Sequence, residues 1–268
     1  MRIKEMKLSR PVIIQGFDYF GRKTEMTLTP YDELGWFWKC GHEIIPISSN
    51  ILHSKTRHLA LRSGRRELHV IEHLLALRWL GLNSVLVDCE GNWLPYHGRS
   101  LELHEKVLCN CYATDREIPW FAADEAICRY PKGDRYTKYT PTTSSGLTLK
   151  IICDYAGLGR NESIFRIGED PSKIFASHTQ GYPAWLYYPS VIAGLVWWPH
   201  HDKITWPQKS GNETLNKFVL HRTTDLLGGL ALFNSHGLLA GEVTSYCSGH
   251  WADAKLVREV GTTIRKLS

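Results

Sequence analysis

At 268 residues, with 43% hydrophobic and 22% charged side chains, the chain has the make-up of an ordinary globular protein of one large or two small domains. A formal net charge of +5, without a block of like charges or a nucleic-acid-binding motif, gives no case for a nucleic-acid partner and suits a small anionic ligand equally well. No apolar run approaches the ~18 residues of a membrane-spanning helix.

The N-terminal MRIKEMKLSRPVIIQGF has a basic start and a short apolar patch, without the apolar core and small-residue cleavage site of a secretory signal. A cytoplasmic location is therefore expected. The seven cysteines (Cys40, Cys89, Cys109, Cys111, Cys128, Cys153 and Cys247) include no CxxC pair, so reduced, mostly buried thiols are expected.

In chain order, Pro11 to Phe17 and Thr24 to Thr29 read as strands joined at Gly21. HVIEHLLALRWL, from His69 to Leu80, has helical apolar spacing and ends at Gly81, a C-cap residue. SVLVDCEG (84–91) reads as a strand, and Gly98 to Cys111 as a second helix. A polar, turn-rich stretch from Arg129 to Gly146 contains one candidate exposed strand. LTLKIICD (Leu147 to Asp154) is a strand, Leu215 to Phe233 a helix, LLAGEVTS a strand, and Trp251 to Ile264 a final helix.

Each half thus gives strands and then helices. The fold class expected is α+β, with two similar units, 1–115 and 116–268. The aromatic segment 181–214 reads either as a lid over a pocket or as a satellite core under a loop.

Three groups of residues carry chemistry. In His69-Val70-Ile71-Glu72-His73, an acid and an imidazole lie inside an apolar run, which is costly unless they are paired or used. On one helix His69 and His73 would share a face, as in the inverted HxxEH zinc peptidases, and Glu72 could act as a base beside a metal on His73. His221 and Asp225 are four apart on the predicted helix and can chelate one ion. His250 follows Ser248-Gly249 between a strand and a helix, where it either caps the helix or projects into a site. Each group alone has a plain structural reading. Together they hold three ligands (His73, His221, Asp225), a carboxylate base and a free imidazole, the inventory of a catalytic zinc site with an open position.

These residues, in this order, resemble the UDP-3-O-acyl-N-acetylglucosamine deacetylase family. Its Val-Glu-His-Leu-Leu helix is matched by Ile71-Glu72-His73-Leu74-Leu75, and the following strand and turn by residues 81–100. An Asp-Arg-Tyr strand opening its second domain is matched at Asp134, Arg135 and Tyr136. Its Ala-Arg-Thr-Phe-Gly-Phe segment corresponds to Ser177 to Tyr182. The Phe-Val-Arg-His-Lys-x-x-Asp helix corresponds to Phe218 to Asp225, and the Ser-Gly-His-Ala-x-Asn turn to Ser248 to Asp253.

The resemblance implies a duplicated fold of two β/α sandwich domains enclosing a zinc ion on His73, His221 and Asp225. It implies Glu72 as proton acceptor, His250 as the acid for the leaving amine, and Thr179 on the oxyanion. The implied reaction removes an N-acyl group from an amino sugar or sugar nucleotide, a small-molecule partner. His69 lies outside that set, where the family has a small hydroxyl residue.

The departures concern the substrate. The family's His-Ser-Gly near its first turn corresponds to Tyr19-Phe20-Gly21-Arg22, its lysine after the zinc histidine is Arg222, and its carboxylate beyond the zinc aspartate is Gly229. Two phenylalanines of the acyl site are Gln180 and Tyr182, which favours a short acyl group, acetyl above all. The rival readings are a non-catalytic sugar-binding relative, favoured by Gly229, and an inverted zinc peptidase on His69 and His73.

Overall fold

The computed structural model describes the chain except residues 19, 21, 56–57, 96–99, 132, 156–158, 178, 184–201, 207–211 and 268; for 155, 179–183, 202–206 and 212–214 it describes the backbone alone. The protein is a mixed α+β structure with several sheets.

Two five-stranded sheets organise it. The first runs Val12–Phe17, Lys23–Pro30, Val85–Cys89, Trp36–Cys40, Glu43–Pro46 across the sheet. The second runs Ala126–Arg129, Tyr136–Thr140, Gly241–Tyr246, Leu147–Tyr155, Gly159–Arg166. In both, the strand that comes last in sequence lies in the centre, antiparallel to one neighbour and parallel to the other, with an antiparallel pair at each edge. Period-two burial marks the half-covered faces: Val12 and Ile14 are buried while Ile13 is exposed, and Gly241, Val243 and Ser245 are buried on the other central strand.

Before each central strand the chain passes through a helix, and another follows. The first half has α1 (Glu72–Leu75), a 3-10 turn (Ala76–Leu80), and α2 (Ser100–Leu108). The second has α3 (Ser172–Ala176), α4 (Asn212–Leu230) and α5 (His250–Thr262). Gly81 ends the 3-10 turn at φ +95°, as its C-cap reading expects. A small antiparallel sheet of Leu52–Ser54, Leu59–Ser63 and Arg66–His69 precedes α1.

One predicted element is corrected. The helix expected from His69 to Leu80 starts three residues late and is α-helical for one turn. His69 ends a strand, paired with Ala60, and Val70 turns the chain at φ +64°, a conformation a continuous helix cannot contain. The apolar spacing was genuine, since residues 70–77 are buried; burial on every side, not helical periodicity, produced it.

The core is continuous across both halves. α4 packs on α1, on α5 and on the strands Leu147–Tyr155 and Gly159–Arg166. A Cβ placed on Gly228 would lie 1.7 Å from the Glu72 carbonyl oxygen, so α4 lies with its bare backbone directly on α1. Further along, Arg78 of the 3-10 turn is fully buried. It donates to the carbonyl oxygens of Ala231, Asn234 (2.7 Å) and Gly237 (3.2 Å), in the turn and loop that follow α4. Burial pushes the Arg78 guanidinium down to about 9. The Trp79 indole donates to the Leu227 carbonyl at 2.7 Å. All seven cysteines are free thiols, and no helix among the described residues is long and apolar enough to cross a membrane.

Candidate metal and catalytic site

The contact between α1 and α4 brings the predicted residues together. Glu72 opens α1, and its Oε2 accepts the backbone N–H of Leu59 at 3.1 Å. His73 follows, with Nδ1 2.6 Å from the hydroxyl of Ser100, the first residue of α2. On α4, His221 and Asp225 stand one turn apart, and His221 Nδ1 donates to the Ser177 carbonyl at 3.2 Å, just past α3. With Nδ1 engaged on each ring, Nε2 is the atom turned to Asp225. Both Nε2 atoms meet Asp225 Oδ1, at 3.5 Å from His73 and 3.6 Å from His221. The two imidazoles stack with centroids 5.0 Å apart.

One ligand atom from each of His73, His221 and Asp225 thus lies within 4.8 Å of the others, a cluster able to hold a metal ion. Glu72, Asp225 and His250 meet the same distance test. The first set is the better donor group: its rings are oriented by Ser100 and Ser177, the outer partners that metal-binding histidines require. His250 Nδ1 is buried with no hydrogen-bond partner among the described residues.

His250 is the first residue of α5, after Gly249 in extended backbone, and its Nε2 is 3.7 Å from Asp225 Oδ2. Burial, and after it the Asp225 charge, raises Glu72 well above the carboxylate range. Burial also depresses His73, to about 3 with help from His221, and His250. For Asp225 burial acts upward, but His221, His250, His73 and Arg222 outweigh it and hold the carboxyl at about 2. His73 is therefore neutral, the protonation state in which an imidazole can ligate.

Sequence reasoning missed the support behind the site. Arg222 pairs with the fully buried Asp253, donates to the Ser248 carbonyl at 3.3 Å, and lies 3.7 Å from Asp225 Oδ2. Asp253 also accepts from the Thr137 hydroxyl at 3.0 Å. At Gly229, where the resemblance expects a carboxylate, a Cβ would lie 4.0 Å from the Asp253 Cβ. The local carboxylate thus comes from α5 instead of α4, and it binds Arg222 instead of His250. The swapped pair, Gly229 with Asp253, was visible in sequence, but their proximity was not.

Two other expectations fare differently. His69 is not turned to the cluster: its Nε2 is 3.1 Å from Glu67 and its Nδ1 3.0 Å from His58 Nε2. The HxxEH reading fails because the strand-to-helix turn at Val70 separates the two histidines. Thr179 begins the strand Thr179–Pro183, paired in parallel with Asp202–Trp206; its side chain, those of Gln180 and Tyr182, and most of segment 181–214 lie outside the described residues.

Fold and cluster together define a mixed α+β protein with a buried site equipped to hold a metal ion. The chain is similar to the UDP-3-O-acyl-N-acetylglucosamine deacetylase of Syntrophus aciditrophicus (strain SB), 20% identical over 205 residues, which is a distant relationship. The match covers 73% of this chain and 64% of that relative. No protein-family model matches the chain.

Proposed function

We propose that the protein is a zinc-dependent amidohydrolase that removes an N-acyl group from an amino sugar or sugar nucleotide. The observation that carries the proposal is the convergence of two anchored imidazole Nε2 atoms on Asp225, with Glu72 and His250 beside it. This donor set suits zinc, with three protein ligands and a position left open. When bound, zinc supplies Lewis acidity toward water and the amide carbonyl.

The chain's own residues do the rest. Glu72, its Oε2 held by the Leu59 amide, would be ionised once a bound cation offsets the burial and the Asp225 charge that raise it, and in that form it takes the proton of the attacking water. His250 delivers a proton to the departing nitrogen, since an amine leaves poorly unless protonated. Arg222, fixed by Asp253, keeps the Asp225 carboxylate ionised and placed. Thr179 is assigned to the oxyanion by the resemblance. The matching strand order of the two large sheets supports reading 1–115 and 116–268 as two copies of one unit, with the site between them. Gln180 and Tyr182 in place of phenylalanines support acetyl as the group removed.

The purified protein is expected to carry about one zinc and to release amine from UDP-N-acetylglucosamine or its 3-O-acyl forms. His221→Ala is expected to lose both metal and turnover. Full metal occupancy in that variant refutes the assignment. The second reading, a sugar-binding relative without turnover, is favoured by the His250 Nδ1, which has no hydrogen-bond partner among the described residues; it predicts metal and sugar binding without amine release.

A further inference from the structure

A string of rings beside the site takes no part in the reaction just described. Its outer end is Glu67, whose carboxylate meets Lys55 at 2.9 Å. The hydrogen bond from Lys55 holds that carboxyl below its ordinary range. His69 Nε2 is 3.1 Å from Glu67, His69 Nδ1 is 3.0 Å from His58 Nε2, and Trp93 lies against both rings, stacked on His69 at 4.3 Å and tilted at 5.0 Å from His58. The small antiparallel sheet sets the spacing, pairing Arg62 with Glu67 and Ala60 with His69.

The bonds in this string have a forced direction. A carboxylate accepts and cannot donate, so His69 gives Glu67 the proton on Nε2. A neutral His69 then has a lone pair on Nδ1, and His58 must donate to it from Nε2. A neutral His58 is left with its lone pair on Nδ1. Burial, and after it the neighbouring His69 and His250, pushes His58 down to about 3, so it is neutral at physiological pH. The inner end of the string adjoins the reactive groups: His58 immediately precedes Leu59, whose amide holds Glu72, and it lies within electrostatic reach of His250.

We propose that His58 is a substrate-binding residue of this site, presenting Nδ1 as a fixed acceptor to a hydroxyl of the sugar, with His69 and Glu67 as its positioning residues. This assignment rests on the reading of the site as one for an amino sugar. It gives His69 a task that metal binding does not, and it specifies the ligand class: a hydroxyl donor, not an anion or a carbonyl.

The test labels the histidines of the full-length protein with 15N and reads their tautomers by long-range NMR correlation, with UDP-N-acetylglucosamine as the probe. His58 is expected as the Nε2–H tautomer at pH 7, with its Nδ1 signal shifting as the probe is added. His58→Phe and His69→Phe, which keep a ring against Trp93, should weaken the probe by roughly threefold to tenfold, the size of one neutral hydrogen bond. His69→Gln, which restores an acceptor, should recover part of that loss. Metal content should not change in any of the three. A proton on His58 Nδ1, a wild-type protein that binds no probe at millimolar concentration, or a His58→Phe protein that binds as tightly as wild type overturns the proposal. Amine release from the same samples separates the two readings: probe binding that depends on His58 without amine release sinks the hydrolase alone, and amine release with an unchanged KM in His58→Phe sinks this proposal alone.

Discussion

Glu72 and Asp225 share a burial environment but not a charge environment. Asp225 has three imidazoles and Arg222 around it, whereas for Glu72 burial and the Asp225 charge outweigh the Leu59 amide and Arg222. Glu72→Gln retains shape and Glu72 is not among the three proposed ligands, so metal content should remain while turnover falls roughly a hundredfold or more, the usual scale of general-base help. Metal analysis and steady-state rates on one preparation decide it. Asp253 makes a structural prediction. Asp253→Ala removes the carboxylate from a pair in which both side chains are buried, and losing one partner of such a pair costs about 3–5 kcal/mol. Denaturant unfolding should show that loss; a change of only a few tenths would mean that water or Asp225 replaces the partner. Glu72, His73, His221, Asp225 and His250 were legible in sequence because each sits in a short chemical pattern. Arg222 with Asp253 was not, because 31 positions separate them and only the packing of α4 on α5 brings them together.

Among elements, the small sheet before α1 was the least legible. Its strands are three to five residues long and mix Leu52, Leu59, Ala60, Leu61 and Leu68 with Arg62, Arg66 and Glu67, so no alternation stands out. The long helix α4 was legible in place but not in character. His221 to Asp225 are all buried, with the Thr223 hydroxyl donating to the Val219 carbonyl one turn back and the Thr224 hydroxyl to the Ile174 carbonyl of α3. His58, in the connection that enters the strand Leu59–Ser63, makes the protein acid-sensitive. His58 stands at about 3 in the folded chain and near 6.5 when unfolded, so the unfolded state binds the extra proton between those values. Stability should therefore fall as pH drops from about 6.5 toward 3, with this group adding a slope of about 1.4 kcal/mol per pH unit. Replacing His58 with Phe should flatten the slope in that window, measured by chemical unfolding at stepped pH. An unchanged slope would mean that His58 titrates normally when folded.

For the whole molecule, the shared core and the buried Arg78 predict that the halves unfold together. Arg78→Ala leaves carbonyls at the end of α4 without their donor and should cost about 3 kcal/mol or more, and Arg78→Lys should recover only part of it because an ammonium lacks the planar fork. Calorimetry should show one transition in each case. Two separate transitions would mean that the halves are independently stable. The sheet order that relates the halves was not legible, since it depends on pairings between strands up to about a hundred residues apart, such as Thr137 with Ser245.

The backbone contact at Gly228 reaches beyond packing. Of the three residues proposed as ligands, His73 belongs to the first half of the chain and His221 and Asp225 to the second, so the opening of that cluster is the gap between two helices. That gap depends on the hydrogen atom that serves Gly228 as a side chain, three residues from Asp225 and lying against the Glu72 backbone. A methyl group there meets the Glu72 carbonyl at 1.7 Å and must push α4 outward, whereas at Gly229 the nearest atom is the Leu59 methyl at 3.2 Å, which can give way. Gly228→Ala should therefore loosen the grip on metal far more than Gly229→Ala, although Gly229 is the position where a charged group is missing. Selectivity among ions of different radius would then be tuned by changing that one contact, with every coordinating residue left in place.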